Sequence, residues 1–595
     1  MMIIQLTGQA QELLGKTELV VVTERVDDVA LLLGQMMKMG LPEILDTPLR
    51  RHWKQEGLSW GWTAVIWLAY ILSEGDHRKV AMETYVRGMK QTLEQITAQP
   101  IRVLDFSDDR LAHLLKHLSQ AKHWQAIEQA LNEHSMTVYD LSAEVIRCDA
   151  TTVSADHEVV DGGVVQFGHS KDDPSRPQIK LMTASLDPLG LPLATTVVSG
   201  KQADDGLYIP LLERLGKGFE KPGLLVVGDC KMSALDIRAY LSGRQQLYLS
   251  PLPLTGTTAQ QMPQWISQGI AKDRAGELER VFRTDDKGHE VLVAQGYELE
   301  RTCRVQEASG PREWQERVLV VHSPAHGERQ GKGLDHRLTQ AETKIRALTP
   351  ARGRGKRQIT AEAELVKALD KVLKAYRVEG LLQIAYVKQT ECRTQYVGRG
   401  RGSAERETRV IEKVRYQITD ITRDEERIGD LKARFGWKAF VTHATATRLS
   451  LADAVLCYRH EYRIERIFNR LKSHLYIAPM FVSCADQIQG LIYLLTLGVR
   501  VLTVMEFTLR RSLQQDQATL PGLHPENRNK GSDKPTAERV LKAFSKVTLT
   551  IIKDRAGREV GRWLTPLSSV QQDILRRLGL EASLYQQLEI LNTRN

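Results

Sequence analysis

Two textures of apolar and polar positions alternate along the chain. Between residues 28 and 139 the apolar positions crowd together without period-two alternation, as in Val29-Ala-Leu-Leu-Leu-Gly-Gln-Met-Met37 and Ala64-Val-Ile-Trp-Leu-Ala-Tyr-Ile-Leu72. Arg110-Leu-Ala-His-Leu-Leu-Lys-His-Leu118 is amphipathic at helical spacing, so the region is predicted to be all-helical. At Ser142 the texture changes. Val145-Ile-Arg-Cys-Asp149-Ala-Thr-Thr-Val153 is rich in β-branched residues and reads as a strand. Two further strand-like runs, beginning at Gln178 and Leu191, flank the turn Asp187-Pro-Leu-Gly190. Then come a helix over residues 205–215, the apolar run Gly223-Leu-Leu-Val-Val-Gly-Asp229, a helix over 234–241 and the strand Gln246-Leu-Tyr-Leu-Ser250. Three strands that can meander, followed by helix, strand, helix, strand, predict a mixed five-stranded sheet with parallel, covered strands at its end.

Past Pro251 that order is interrupted. Arg280-Val-Phe-Arg-Thr284, Glu290-Val-Leu-Val-Ala294 and Glu316-Arg-Val-Leu-Val-Val-His322 are strand-like, and residues 334–348 and 361–376 are charged helices. Trp437-Lys-Ala-Phe-Val-Thr-His443 is another strand, and a helix through Glu465 comes after it. An apolar helix over 486–509, a polar linker over 513–536 and a basic tail complete the chain. The pattern divides into a helical N-terminal segment (1–141), an α/β segment (142–252), a β-rich and helical segment (253–436), a strand-and-helix segment (437–512), and a linker with a small C-terminal domain (513–595).

Composition narrows this little. Hydrophobic content of 42% and charged content of 26% suit a globular protein, and 82 Lys+Arg against 73 Asp+Glu give a net +9 that permits a polyanionic partner. Six scattered cysteines form no CxxC pair, which argues against zinc and disulfides. The N-terminus has no signal-peptide pattern, and the apolar run over 63–72 is about half of the ~20 residues a membrane span needs, so the expected location is the cytoplasm.

Three carboxylates stand out. Asp149 lies within an apolar strand, where an unpartnered charge is costly. Asp229 ends the run Leu-Leu-Val-Val-Gly, at the edge where parallel sheets present ligand groups. Glu465 is seven residues from both Tyr458 and Lys472; seven residues drift only about 20° on an ideal helix, so the three are predicted to share one face. Three acids without imidazole or thiolate partners are hard ligands suited to Mg²⁺ or Mn²⁺, and two such ions ~4 Å apart can stabilise an in-line phosphoryl transfer. Singly, each acid has a plainer reading: Asp149 within a turn, Asp229 capping the next helix, Glu465 paired along its own helix. The strand order favours the joint reading.

The residues carry a resemblance. The blocks Cys148-Asp149-Ala-Thr-Thr, Gly168-His169-Ser-Lys171-Asp, Val227-Gly-Asp229 and Pro535-Thr-Ala-Glu-Arg539, with Tyr458, Glu465 and Lys472 in a Y-x2-R-x3-E-x6-K frame, resemble DDE transposases of the insertion-sequence-4 superfamily, in the group typified by insertion sequence 1634. The resemblance implies a ribonuclease-H-like core in two parts (142–252 and 437–512) interrupted by an insertion (253–436), a helical DNA-binding domain over 1–141 that reads the inverted repeats, catalytic, metal-holding Asp149, Asp229 and Glu465, and the use of two Mg²⁺ or Mn²⁺ ions. It implies cleavage at the element's ends and strand transfer into target DNA. Tyr458 and Lys472 would grip phosphates, with Arg459, Arg463, His169 and Lys171 as further DNA contacts. The implied partners are double-stranded terminal repeats and target DNA, with a homodimer assembled on the ends and neither membrane nor nucleotide. One position departs: Glu461 stands where the frame has arginine, and Arg459 and Arg463 are the nearby cations that could substitute.

Other candidates are weaker. The basic loops at 352–357 and 398–402 suit phosphate tracking or simple solvation, and Trp437 or Trp314 could stack on a displaced base. The Trp60, Trp62 and Trp67 cluster reads as core. A P-loop at Gly8–Thr17 fails, with six residues between its glycines instead of four. A nuclease that cuts without joining, and a transposase-derived DNA-binding protein with impaired catalysis, remain as alternatives.

Overall fold

A computed structural model describes residues 19–590, apart from positions 55, 170–172, 286, 308–309, 354, 399–404, 406, 525 and 528–529. The rejected P-loop segment and Lys171 lie outside the described residues. The chain is mixed α/β and divides into two compact units: Met1–Ser250, Cys303–Trp314 and Cys457–Asn595 form the first, and Pro251–Thr302 with Gln315–Leu456 the second.

The first unit contains the strands β1 (Val145–Ser154), β2 (Gln178–Asp187), β3 (Leu191–Ser199), β4 (Leu225–Gly228) and β5 (Leu247–Pro251), in the order β3-β2-β1-β4-β5. β1, β2 and β3 pair antiparallel, whereas β4 runs parallel to β1 and β5 parallel to β4. Every residue of β2 is buried, because it is central among the first three strands and covered on both faces. Between the later strands lie α1 (Tyr208–Glu213) and α2 (Leu235–Gly243).

Three helices come next: α3 (Leu451–Arg459), α4 (Tyr462–Asn469) and α5 (Ala485–Gln515). α5 is long and apolar enough to cross a membrane, with mean hydropathy 1.7, yet 94% of its apolar window is buried within the protein. It packs against β3 and against the N-terminal helix Asp108–Ser119, and is the axis of this unit's core. Trp124 stacks on its Tyr493 with ring centroids 4.3 Å apart. The Trp60 and Trp67 side chains are buried among these helices. A strand that the sequence pattern did not reveal, Val20–Arg25, pairs antiparallel with Thr548–Lys553, which pairs in turn with Glu559–Leu564.

The second unit contains antiparallel strands, among them Glu279–Thr284 and Trp437–Thr442, and the helices Gly256–Ala275, Pro324–Leu348 and Glu362–Tyr376. From the latter two helices projects a two-stranded ribbon, Leu382–Tyr396 with Thr408–Arg423.

Candidate active site

Arg147 and Asp149 alternate along β1 with Ile146, Cys148 and Ala150, so the two charged side chains share a face. Arg147 fixes which face it is. Its guanidinium donates to the Asp187 carboxylate at 2.8 Å and to the Cys457 carbonyl at the end of α3. Asp149 therefore points to the side on which the Cys457 end of α3 and the helix α4 lie.

β4 brings the second acid beside the first. The parallel register sets Arg147 against Val227 and ends with Cys148 against Gly228, so Asp149 and Asp229 each come one residue after the last pair. Neighbouring strands lie about 4.8 Å apart, and equivalent residues of a parallel pair project to the same face. Asp229 sits just past the ladder, where its Oδ1 accepts from the Lys231 amide at 2.8 Å and from the Tyr208 hydroxyl at 2.7 Å. The Ser250 hydroxyl donates to its carbonyl at 2.8 Å. Asp149 Oδ1 accepts from the Ala150 amide at 2.8 Å. Glycine at 228 makes room for this arrangement: a Cβ there would stand 2.7 Å from Met232 Sδ and 3.1 Å from the Tyr208 ring.

Two phenols face the acids. Tyr208, on α1, is buried, and burial first, then the charges of Asp229 and Asp149, hold its hydroxyl well above the ordinary tyrosine range. Tyr458, half-buried on α3, is raised in the same way by burial, then by Glu461, Asp229 and Asp149. Both therefore stay neutral donors at physiological pH. Glu461, the residue that departs from the family frame, thus lies within electrostatic reach of the site.

The shared face expected of Tyr458, Glu465 and Lys472 is a correction. They do not ride one continuous helix. α3 ends at Arg459, His460 and Glu461 form a turn, and Glu465 lies on α4. The amides of His460, Glu461, Arg463 and Ile464 bond three residues back, to Cys457, Tyr458, His460 and Glu461. Such tightening advances about 120° per residue instead of 100°, so seven residues no longer close on one face. Lys472 is half-buried in a π-helical turn, Arg470–His474.

α4 buries Ile464, Ile467 and Phe468 and packs against β1. On one side of Glu465, Arg463 pairs with Asp187; on the other, Arg466 donates to the buried Glu506 of α5 at 2.6 and 2.7 Å. The helix is thereby pinned at both flanks, while Glu465 is exposed and its carboxylate makes no hydrogen bond or ion pair among the described residues. Among those residues no three acidic, His or Cys side chains close around a position for a metal ion. The structure therefore unites Asp149, Asp229 and Tyr458, and leaves Glu465 on the adjoining helix rather than in one cage with the two aspartates. Asp149 and Asp229 fit a hard divalent cation as an all-oxygen pair on one face.

The remaining candidates divide. Arg463 is engaged by Asp187, Arg459 is exposed at the end of α3, and His169 is exposed in the loop between β1 and β2. Trp437 and Trp314 are both buried, and the Trp314 indole donates to the Tyr248 hydroxyl at 2.9 Å, so neither is presented for stacking on a base. Sequence reasoning passed over Tyr208 and the Arg147–Asp187 pair. A signal existed for the second: Arg147 stands two residues before Asp149 in an otherwise apolar strand.

Residues 141–500 match the family model described as transposase DDE domain, and the chain belongs to that family. It is a DDE transposase, a class of enzyme that depends in general on divalent metal ions. No curated protein sequence matches the chain. Among solved structures it is similar to the piggyBac transposase synaptic complex with hairpin DNA, at 6% identity and a TM-score of 0.32, over 86% of this chain and 76% of that one. A likeness at that level carries no argument about topology or activity.

Proposed function

We infer that the chain is an insertion-sequence DNA transposase of the insertion-sequence-4 superfamily, insertion sequence 1634 group. It nicks the element's ends and transfers them into target DNA from a ribonuclease-H-like core, with Asp149, Asp229 and Glu465 as the acidic set. The observation that supports this reading is that Asp149 and Asp229 each follow the last pair of the β1–β4 ladder and both act electrostatically on Tyr208 and Tyr458.

Asp149 and Asp229 would hold Mg²⁺ or Mn²⁺, and Glu465 would complete the set when DNA is bound. Mg²⁺ is commonly held by one or two carboxylates together with substrate phosphates, which suits an open pair better than a closed cage. Bound metal would supply Lewis-acid stabilisation of the charge that develops during phosphoryl transfer, with two ions as the expected number. The protein's own groups do the rest. Tyr208 holds one oxygen of Asp229 in place. The neutral Tyr458 phenol donates a hydrogen bond to a phosphate oxygen, and Lys472 adds a point charge. Arg463 and Arg466 keep α4, and with it Glu465, in position. The partners are duplex terminal repeats and target DNA, with two copies assembled on the ends in the cytoplasm.

The test is Mn²⁺- or Mg²⁺-dependent nicking of terminal-repeat DNA. Asp149→Asn, Asp229→Asn and Glu465→Gln each abolish nicking, a loss of at least 10³-fold on the scale of removing a metal's charge stabilisation (~4 kcal/mol), while end binding persists. Substantial nicking by any of them overturns the assignment. A second reading has one observation behind it: Glu461 adds a carboxylate beside Tyr458 where DNA phosphate would lie. A chain impaired in this way binds ends without nicking them. A strand-transfer assay separates both readings from a nuclease that only cuts.

A further inference from the structure

We propose that the two-stranded ribbon of the second unit, Leu382–Tyr396 with Thr408–Arg423, is an arm that binds duplex DNA through its phosphates. The ribbon's base is anchored: Ile384, Tyr386, Tyr416 and Ile418 pack on the core of the helices Pro324–Leu348 and Glu362–Tyr376. Its outer half is not covered. Residues 391–398 and 407–410 are all exposed. A ribbon this long, with neither face buried, does not draw its stability from a core of its own.

Its charge is sorted by face. The antiparallel register pairs Gln389 with Arg415, Glu391 with Lys413, Arg393 with Ile411 and Gln395 with Arg409. These residues share one face, where Arg393, Arg409, Lys413 and Arg415 outnumber Glu391 and, at the outer end where Val397 bonds back to it, Glu407. The other face carries Thr390, Cys392, Thr394, Val410 and Val414, with Lys388 and Glu412 cancelling.

The loop after the helix Pro324–Leu348 lies along the same ribbon. Tyr416 donates its amide to the Ile359 carbonyl at 2.9 Å, and the Ile418 amide donates to Thr349 Oγ1 at 3.1 Å. Between loop and ribbon is an open cleft of about 700 Å³, to which the loop adds Arg352 and Lys356. Arg352 and Glu391 form an ion pair, and Arg352 first, then Arg393 and Lys413, hold the Glu391 carboxyl below its ordinary range. Glu391 is thus already compensated by a cation. Arg415 is held extended by Gln389, at 2.8 Å.

The geometry suits a duplex. From Val387 to Tyr396 the arm extends about 30 Å, a little under one turn of B-DNA at roughly 34 Å, and a two-stranded ribbon fits the major groove. Exposed Arg and Lys along it would track phosphates with little sequence preference. The surface is separate from residues 149, 229 and 465; the DDE reading enters only in the choice of nucleic acid.

The experiment uses the full chain carrying Asp149→Asn, so that binding is read without cleavage. Fluorescence anisotropy with a mixed-sequence duplex is recorded over a range of salt concentrations. Combining Arg393→Ala, Arg409→Ala and Lys413→Ala weakens binding at least tenfold at about 0.1 M salt and makes the slope of log K against log salt shallower by about 2–3, near 0.9 per lost phosphate contact. Arg393→Lys with Lys413→Arg, which keeps the charge, retains both affinity and slope. Unchanged affinity and slope in the triple variant overturn the proposal, as does equal loss in the charge-keeping variant or tighter binding of single-stranded than of duplex DNA. A chain that binds through the arm but never nicks when Asp149 is restored refutes the catalytic reading alone.

Discussion

At the scale of single residues, the Tyr208 hydroxyl has the most specific consequence. It donates to Asp229 Oδ1 from a buried ring and remains protonated, so it acts as a fixed donor that orients one carboxylate oxygen. Tyr208→Phe keeps the ring's packing and removes only that bond. A residue of this kind acts through the ligand it holds, and such losses typically cost about 10–100-fold in metal affinity or activity. We expect the Mn²⁺ concentration for half-maximal nicking to rise about tenfold, with end binding unchanged. An unaltered metal dependence would show that Tyr208 only fills space. Asp149 was legible in the sequence because a charge inside an apolar strand calls for explanation. Tyr208 was not, because nothing local to a helical tyrosine states which acid its hydroxyl will meet. The buried Trp314 and Trp437 show the opposite error: an aromatic beside charged residues can read as presented when its ring is in fact packed away.

At the scale of elements, β1 to β5 were readable because their periodicity, the turn at Asp187–Gly190 and the apolar run before Asp229 are local signals. The register that places Asp229 beside Asp149 is not local, since it joins segments 80 residues apart. The break between α3 and α4 was hidden for another reason. His460 and Glu461 are acceptable helix residues, and the tightened turn is flanked by anchors elsewhere, Arg147 on Cys457 and Asp187 on Arg463. The entry to the N-terminal helices yields a pH prediction. Asp28 precedes the helix Val29–Lys38, accepts a hydrogen bond from the Ser73 hydroxyl at 2.6 Å, and is 7% exposed. Burial raises its carboxyl from 3.8 to about 6, aided by Asp27 and opposed by Ser73 and Arg25. Between those values the folded state keeps a proton that the unfolded state has released, so stability falls as pH rises. The contribution is complete below about pH 4 and lost above about pH 6, on the order of 2–3 kcal/mol. Denaturation midpoints measured across that window should converge with those of Asp28→Asn once this trend is subtracted; a variant with the same slope as the parent would refute the assignment to Asp28.

At the scale of the molecule, the two ends of the described chain are built into one another. Val20–Arg25 pairs along its length with Thr548–Lys553, and the Val26 amide donates to the Val547 carbonyl at 2.9 Å. The Val547 amide returns a bond to Asp27 Oδ1 at 3.0 Å. The buried Tyr585 hydroxyl donates to the Asp27 carbonyl at 2.7 Å and accepts from the Leu31 amide at 3.2 Å. The helix Asp108–Ser119 lies against α5 so closely that a Cβ at Gly490 would meet the Leu115 carbonyl at 2.0 Å. Pairing over more than five hundred residues leaves no trace in a local pattern, which is why Val20–Arg25 escaped a reading by periodicity. It also means that the helical segment before β1 depends on the C-terminal strands and helices beyond α5. Deleting residues 537–595 strips the partner strand from Val20–Arg25, removes Tyr585 from the start of the helix Val29–Lys38 and uncovers apolar side chains of that helix. Each apolar side chain returned fully to water costs about 1.5–3 kcal/mol, against a total stability of about 5–15 kcal/mol for a domain. The truncated chain should therefore lose its cooperative thermal transition in the first unit and be cut within residues 19–140 at protease levels that leave the full chain intact. Equal resistance and an unshifted Tm would show that the N-terminal helices stand without the C-terminal strands, and that these hydrogen bonds contribute little to holding the two ends together.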